Sequence, residues 1–370
     1  MKILLLGEYS NVHATLADGL RTLGHEVTVA SNGDFWKNYP RDIDLPRTYT
    51  KWGGIKYMAR LLRILPQLKG YDVVQLINPM FLEIKAKRIF PIYSYLKRHN
   101  KKIILCGFGM DYYWVNTNIT DRPLRYSDFN FGEKLRTDDN AKREIADWIG
   151  TEKERLNKYI ADDCDAIVTG LYEYWVCYHP AFPEKTSFIP FPIKDIAEES
   201  AVGTSDLNRP IRIFIGINKT RSVYKGTDIM LKAAQDIKKN YADKVELNIA
   251  ENVPFSQYVD MMSHSDLILD QLYSYTPAMN ALAAMAKGII CVGGGEPENY
   301  DILHEEELRP IINVEPSYES VFCELEQVVL HPECIGKLKK QGIEYVRRHH
   351  DYRKVARQYL ALYEKICNGR

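Results

Sequence analysis

Apolar residues fall in short unbroken runs separated by stretches where they recur every three or four positions, and this alternation fills most of the 370-residue chain. The opening "MKILLLGEYSNVHATLADGLRTLGHEVTVAS" predicts a strand, a glycine turn, a helix with Leu16, Leu20 and Leu23 at helical spacing, and a second strand. Further strands are predicted at "YDVVQLINP", "KKIILCGFG" and "DAIVTGL", the last preceded by the helical "EKERLNKYIADDC". Continuous apolar strands alternating with helices imply a parallel sheet covered on both faces. Prolines, small residues and acids then break the rhythm in "SFIPFPIKDIAEESAVGTSDLNRP", as an exposed linker does. The alternation resumes at "IRIFIGINK" and continues to "IICVGGG". The expected class is α/β, with two Rossmann-like doubly wound domains at 1–192 and 210–350 joined by a linker at 193–209. The tail, 351–370, reads as an amphipathic helix with Val355, Tyr359, Leu362 and Ile366 on one face, suited to packing on its own domain or crossing back to the first.

Charge narrows the partners. Lys plus Arg equals Asp plus Glu at 49 each, so no global field draws nucleic acid and any attraction is local. The seven cysteines form no C-x-x-C pair and read as reduced, buried thiols. The apolar start is too short for a secretory signal, and no run reaches the roughly 20 apolar residues of a spanning helix, which predicts a cytoplasmic protein.

Two such domains leave a cleft at the carboxyl ends of their strands, where ligands of open α/β sheets bind. After the first strand, Gly7-Glu8-Tyr9-Ser10-Asn11-Val12-His13 lacks G-x-G-x-x-G, which argues against a dinucleotide enzyme. Glu8 and His13 are candidates to face the cleft for proton transfer, although His13 equally suits a helix surface. Ser10 or Asn11 suits a helix cap, and Tyr9, Ser10 and Asn11 are candidates to contact a second substrate. After "KKIILC", the glycines 107 and 109 allow close backbone approach, and Asp111 is either a base or a helix cap. Gly109, Tyr112 and Tyr113, with Trp114, offer a stacking wall for a second substrate. In "GINKTRSVYKGTD", Lys219, Arg221 and Lys225 gather positive charge beside a helix start, as a phosphate requires, or form a solvated basic loop. Thr276, Pro277, Ala278, Met279 and Asn280 start a helix with small side chains, and Glu296 and Glu298 follow a glycine run where they can bind hydroxyls.

In their order these pieces resemble GT-B glycosyltransferases, most closely family 4 and its bacterial relatives. The resemblance rests on "LLLGEYSNVHATLADGLRTLGHEVTV", "FIPFPI", "YKGTDIMLKAA" and "YSYTPAMNALAAMAKGIICVGG", and it spans nearly the whole chain. It implies an acceptor-binding first domain, a nucleotide-sugar-binding second domain, a nucleotide-diphosphate sugar as co-substrate with no further cofactor, and a glycan or lipid-linked acceptor in surface polysaccharide or glycoconjugate synthesis. Lys225 matches the family's donor-diphosphate lysine. The family's two acids before Ala-Met-Ala fall here on Tyr275 and Ala283. Loss of the second, which holds the donor ribose, costs about 1.5 to 3 kcal/mol and leaves the chemistry possible; Glu251 or Glu298 are candidate replacements. No Asp-x-Asp or close histidine pattern suggests a metal, so cations and helix amides are expected to neutralise the leaving diphosphate. Family 4 retains anomeric configuration, whereas a base at Asp111 or His13 suits inversion. A nucleotide-sugar 2-epimerase and a non-catalytic nucleotide-sugar binder share the same fold. Aromatic and basic residues in "KWGGIKYMARLLRILPQLKG" suit peripheral contact with an anionic membrane at the inner face of the cell membrane, or a solvated helix face.

Overall fold

The computed structural model describes residues 1–198 and 209–369, so most of the expected linker lies outside the described residues. The first unit runs β1 (Lys2–Leu6), α1 (Val12–Thr22), β2 (Glu26–Ser31), β3 (Ile43–Asp44), α2 (Lys51–Ile64), β4 (Val73–Leu76), α3 (Ala86–His99) and β5 (Lys102–Cys106). It continues through α4 (Tyr112–Thr120), a hairpin of β6 (Asn130–Phe131) and β7 (Lys134–Leu135), α5 (Asp139–Trp148), α6 (Glu152–Asp163), β8 (Ala166–Thr169), α7 (Tyr172–Tyr178) and β9 (Thr186–Phe188). Seven of these strands form one parallel sheet in the order β3-β2-β1-β4-β5-β8-β9. The strand side chains of β1, β4, β5 and β8 are buried on both faces, which explains their continuous apolar runs.

The second unit comprises β10 (Ile211–Ile217), α8 (Ser222–Lys225), α9 (Thr227–Asn240), β11 (Val245–Glu251), α10 (Phe255–Ser263), β12 (Leu267–Leu269), α11 (Met279–Met285) and β13 (Ile290–Gly293). It closes with α12 (Pro297–Ile302), β14 (Ile312–Asn313), α13 (Tyr318–Leu330) and α14 (Cys334–His349). Its sheet is parallel throughout, in the order β11-β10-β12-β13-β14.

The tail forms α15 (Tyr352–Asn368), which crosses back and lies on α1 of the first unit. Gly19 permits the approach: a Cβ there would stand 2.5 Å from the Tyr352 carbonyl oxygen. Ile193 and Asp351 pair in a bridge, so the two chain crossings run side by side. The start of the expected linker is therefore packed, with Ile189, Phe191 and Ile193 buried. Among the cysteines, Cys323 is exposed and Cys334 and Cys367 are half-buried, contrary to a uniformly buried set, because their helices pack through other positions. No helix among the described residues is long and apolar enough to cross a membrane.

Candidate functional site

A cleft of about 1210 Å³ lies between the carboxyl edges of the two sheets. Its first wall comes from the turns after β1 and β2: Ser10 and Asn11, then Asp34, Trp36, Lys37 and Tyr39. Ser10 and Asn11 both hold left-handed backbone, at φ 52° and 71°, which swings the chain directly into α1. The Asp34 carboxylate accepts from the Ser10 amide at 2.9 Å and from Lys37 at 2.6 Å, fixing both turns together. Asn11 Oδ1 makes no hydrogen bond although buried at the cleft wall, and so offers an acceptor to a ligand.

The second wall carries the chemistry foreseen for a phosphate. Arg221, just before the short turn α8, and Lys225 at its end line the cleft. Lys225 faces Asp270, which follows β12; burial pulls the lysine pKa down and pushes the carboxyl pKa up, each opposed by the other's charge. Asn280 Nδ2 donates to Asp270 at 3.1 Å and Asn280 Oδ1 accepts from Tyr258 at 3.2 Å, so a polar chain crosses the cleft floor beside Ala283. Across the mouth, Phe255 on α10 meets Trp36 edge-on at 5.5 Å and Tyr39 at 5.9 Å.

Several expected residues lie elsewhere. His13 is fully buried: its Nδ1 bonds the Gly7 carbonyl at 2.8 Å, its Nε2 meets Gln75 at 3.1 Å, and Gln75 accepts from Tyr363 of α15 at 2.7 Å. Burial lowers its pKa to about 4, so it is a neutral strut, not a cleft base. Glu8, also buried, accepts from the amides of His13 and Ala14 and caps α1, with burial raising its pKa to about 8. Asp111 is the cap of α4, bonded to the Trp114 amide at 2.8 Å and Tyr178 at 2.7 Å, with no exposure to the cleft. Gly109 shapes its turn at φ 79°, Tyr112 is buried and Tyr113 packs on Tyr178 and Phe182, so none of the three forms a substrate wall. Tyr9 instead lines a second cavity of about 730 Å³ with Asn78, Met80 and Arg47.

On the donor side, Lys219 pairs with Glu251 at the rim, which removes both from the cleft lining. Thr276 is held by a carboxylate from the other unit: Glu173 on α7 accepts from Ser274 Oγ at 2.8 Å, the Tyr275 and Thr276 amides at 2.8 and 3.1 Å, and Thr276 Oγ1 at 2.5 Å. Thr276, Pro277 and Ala278 therefore stay out of the cleft, while Met279 and Asn280 reach it. Glu298 is bonded by Arg125 at 2.6 Å, and Glu296 by Arg125 and Tyr126, so neither faces the cleft. Tyr275, at the first acid position, is buried under Arg125 and Tyr126. Arg136 reaches the carbonyls of Val223 and Tyr224, and Tyr224 donates to Asp128 at 2.7 Å. The turn that carries Lys225 is thus positioned by the first unit.

Asp270, Trp36, Lys37, Tyr258 and Phe255 escaped the sequence reading. A polar residue ending the apolar "DLIL" was a usable signal for Asp270, and the aromatic and basic "DFWKNY" directly after a predicted strand was another. Among the described residues, no group of three or more His, Cys, Asp or Glu gathers as metal ligands do.

No family model matches the chain, and no curated protein matches it in sequence. Solved structures match over nearly its full length. Anabaena HepE in complex with UDP and glucose is 11% identical, with 98% of each chain covered and a TM-score of 0.59. The sucrose-phosphate synthase of Thermosynechococcus elongatus is 13% identical, with 100% of each chain covered and a TM-score of 0.61. A Listeria monocytogenes protein assigned as a UDP-N-acetylglucosamine 2-epimerase is 10% identical, with 100% and 97% covered and a TM-score of 0.55. At these identities the likeness establishes the fold: two parallel-sheet α/β domains in the GT-B arrangement, shared with enzymes that use nucleotide sugars.

Proposed function

We propose that the chain is a glycosyltransferase that moves a sugar from a nucleotide-diphosphate donor to a glycan or lipid-linked acceptor. The observation that carries this reading is the convergence of Arg221, Lys225 and the Asp270–Asn280–Tyr258 chain on one interdomain cleft with an unpaired acceptor atom on the facing wall. The donor diphosphate is assigned to Lys225 and Arg221, whose charge stabilises the leaving group without a metal ion. A phosphate arriving beside Lys225 favours its charged form, against the burial that depresses it.

Asp270, not Glu251 or Glu298, is the carboxylate available to donor hydroxyls beside Ala283, because the other two are spent on Lys219 and Arg125. The acceptor is assigned to the side of Ser10, Asn11 and Tyr9, which lie consecutively along the edges of the two cavities. With Asp111 and His13 committed to capping and packing, the argument for an inverting base at those residues falls away and retention is the reading kept.

The test is a thermal-shift panel of UDP, GDP, dTDP, ADP and CMP with and without EDTA. One nucleoside diphosphate is expected to stabilise the protein regardless of chelator, and Lys225→Ala should largely abolish that shift. An unchanged shift moves the phosphate elsewhere. The likeness to the Listeria epimerase supports a second reading, and epimer formation from the matching nucleotide sugar in the absence of acceptor would displace the first. Binding without turnover on any acceptor would leave a non-catalytic binder.

A further inference from the structure

Helix α2 has two apolar faces. Tyr57, Leu61 and Ile64 point inward and are buried. Trp52, Ile55, Ala59 and Leu62 fall within about 80° of arc on the opposite side, and Trp52, Ile55 and Leu62 are 74%, 59% and 64% exposed. Lys56, Arg60 and Arg63 run along one flank of this outer stripe and Lys51 along the other, all exposed. None of the four makes an ion pair with a described residue, and no Asp or Glu occurs between Leu45 and Tyr71. Exposed Tyr49, which just precedes the helix, lies against exposed Phe35. Trp52, Ile55 and Leu62 share one face of a single helix, which makes this one patch and not scattered exposure.

A soluble partner requires an occupant of unknown shape, whereas an apolar stripe bordered only by cations matches the boundary between acyl chains and anionic headgroups. The chain has no net charge to supply such attraction globally, so the local set of cations is what selects the surface. We infer that α2 docks the protein on an anionic lipid bilayer, with Trp52, Ile55 and Leu62 entering the headgroup boundary and Lys51, Lys56, Arg60 and Arg63 contacting lipid phosphates. The approach to α2 also carries Arg47, which lines the second cavity with Tyr9 and Met80. Docking therefore sets that cavity near the bilayer, where a lipid-borne acceptor presents its head. The link to an acceptor rests on the transferase reading; the docking itself does not.

Flotation of the full chain with vesicles tests this. Vesicles of equal parts phosphatidylglycerol and phosphatidylcholine should carry the protein upward, pure phosphatidylcholine should not, and raised salt should release it. Trp52→Glu with Leu62→Glu should abolish flotation while leaving the nucleotide-induced thermal shift unchanged, since both side chains are exposed and neither lines the cleft. Each single Lys51→Gln or Arg63→Gln should weaken partitioning about fivefold. Failure to float on anionic vesicles, flotation of the double variant at the wild-type level, or a wild-type dimer that the double variant converts to monomer would each overturn the inference. Flotation without any nucleotide shift would sustain it and remove the transferase reading alone.

Discussion

Glu8 and His13 stand five residues apart around the same turn, and burial drives their titrations in opposite directions. Glu8 keeps its proton up to about pH 8 in the folded chain against 4.5 when exposed, so folding binds a proton there and the stability it contributes is lost as pH rises from about 4.5 through 8. His13 is neutral down to about pH 4 against 6.5 when exposed, so its contribution is lost as pH falls from about 6.5. Between pH 4.5 and 6.5 the two slopes oppose, and above 6.5 Glu8 acts alone. Urea unfolding of the wild type and of Glu8→Gln, which still accepts the helix amides, should separate them. The wild type should lose about 1 kcal/mol per pH unit relative to the variant between pH 6.5 and 8, and parallel curves would show the carboxylate to be ionised in the fold. Neither residue type announces this. A Glu and a His beside a glycine turn suit proton transfer as well as helix capping, and burial decides between them; for His13 it involves α15, which arrives from the far end of the chain and holds the Gln75 that His13 meets.

At the scale of elements, the strands β1, β2, β4, β5, β8 and β10 to β13 and the helices α1, α6, α9, α10, α11 and α15 were readable because their apolar patterns are local and strong, whereas the two- and three-residue edge strands β3, β9 and β14 were not. The tail shows why their partners were not. Val355, Tyr359 and Leu362 do share a buried face, as the periodicity predicted, but the surface that receives them is specified by a glycine in α1, and Gly19 has no pattern of its own. Gly19→Ala places a methyl 2.5 Å from the Tyr352 carbonyl and 2.7 Å from Ala356 Cβ, so α15 must move. The expected cost is about 1 to 3 kcal/mol of unfolding free energy, read as a lowered denaturant midpoint at unchanged slope, together with faster proteolysis of the tail; an unchanged midpoint would mean that the two helices separate freely. The segment from α4 through α5 was illegible for a different reason. Its short hairpin and aromatic-rich helix have weak periodicity, and its positions are fixed in part by contacts to the second unit, such as Tyr224 to Asp128, a carboxylate that Trp114 Nε1 also meets, and Arg136 to the Val223 carbonyl.

For the molecule as a whole, the site is divided between residues the sequence marks and residues the interface recruits. Lys225 and Arg221 were marked by charge beside a helix start, whereas Glu296, Glu298 and Thr276, which looked equally suited to a ligand, are occupied by Arg125, Tyr126 and Glu173 of the other unit. A single sequence cannot show that a carboxylate at 173 will meet hydroxyls at 274 and 276, about a hundred positions away. These contacts tie the first unit to the second, and the chain crossings pair at Ile193 and Asp351, so together they limit how far the domains part. Arg125 is more than half exposed, which limits each of its ion pairs to about 1 kcal/mol or less, but Glu296 is 93% buried in side chain and loses its cation with it. Arg125→Ala should therefore shift the domains toward a more open pose without unfolding either one: a larger radius of gyration by small-angle scattering, a thermal midpoint near wild type, and nucleotide affinity weakened roughly tenfold, equivalent to about 1.4 kcal/mol, because Arg136 and Glu173 are left to hold the Lys225 turn and the α11 loop. Since Lys225 itself is untouched, saturating nucleotide should restore the compact form. A variant as compact as the wild type without nucleotide, binding as tightly, would mean that packing and not this charge cluster holds the two sheets face to face.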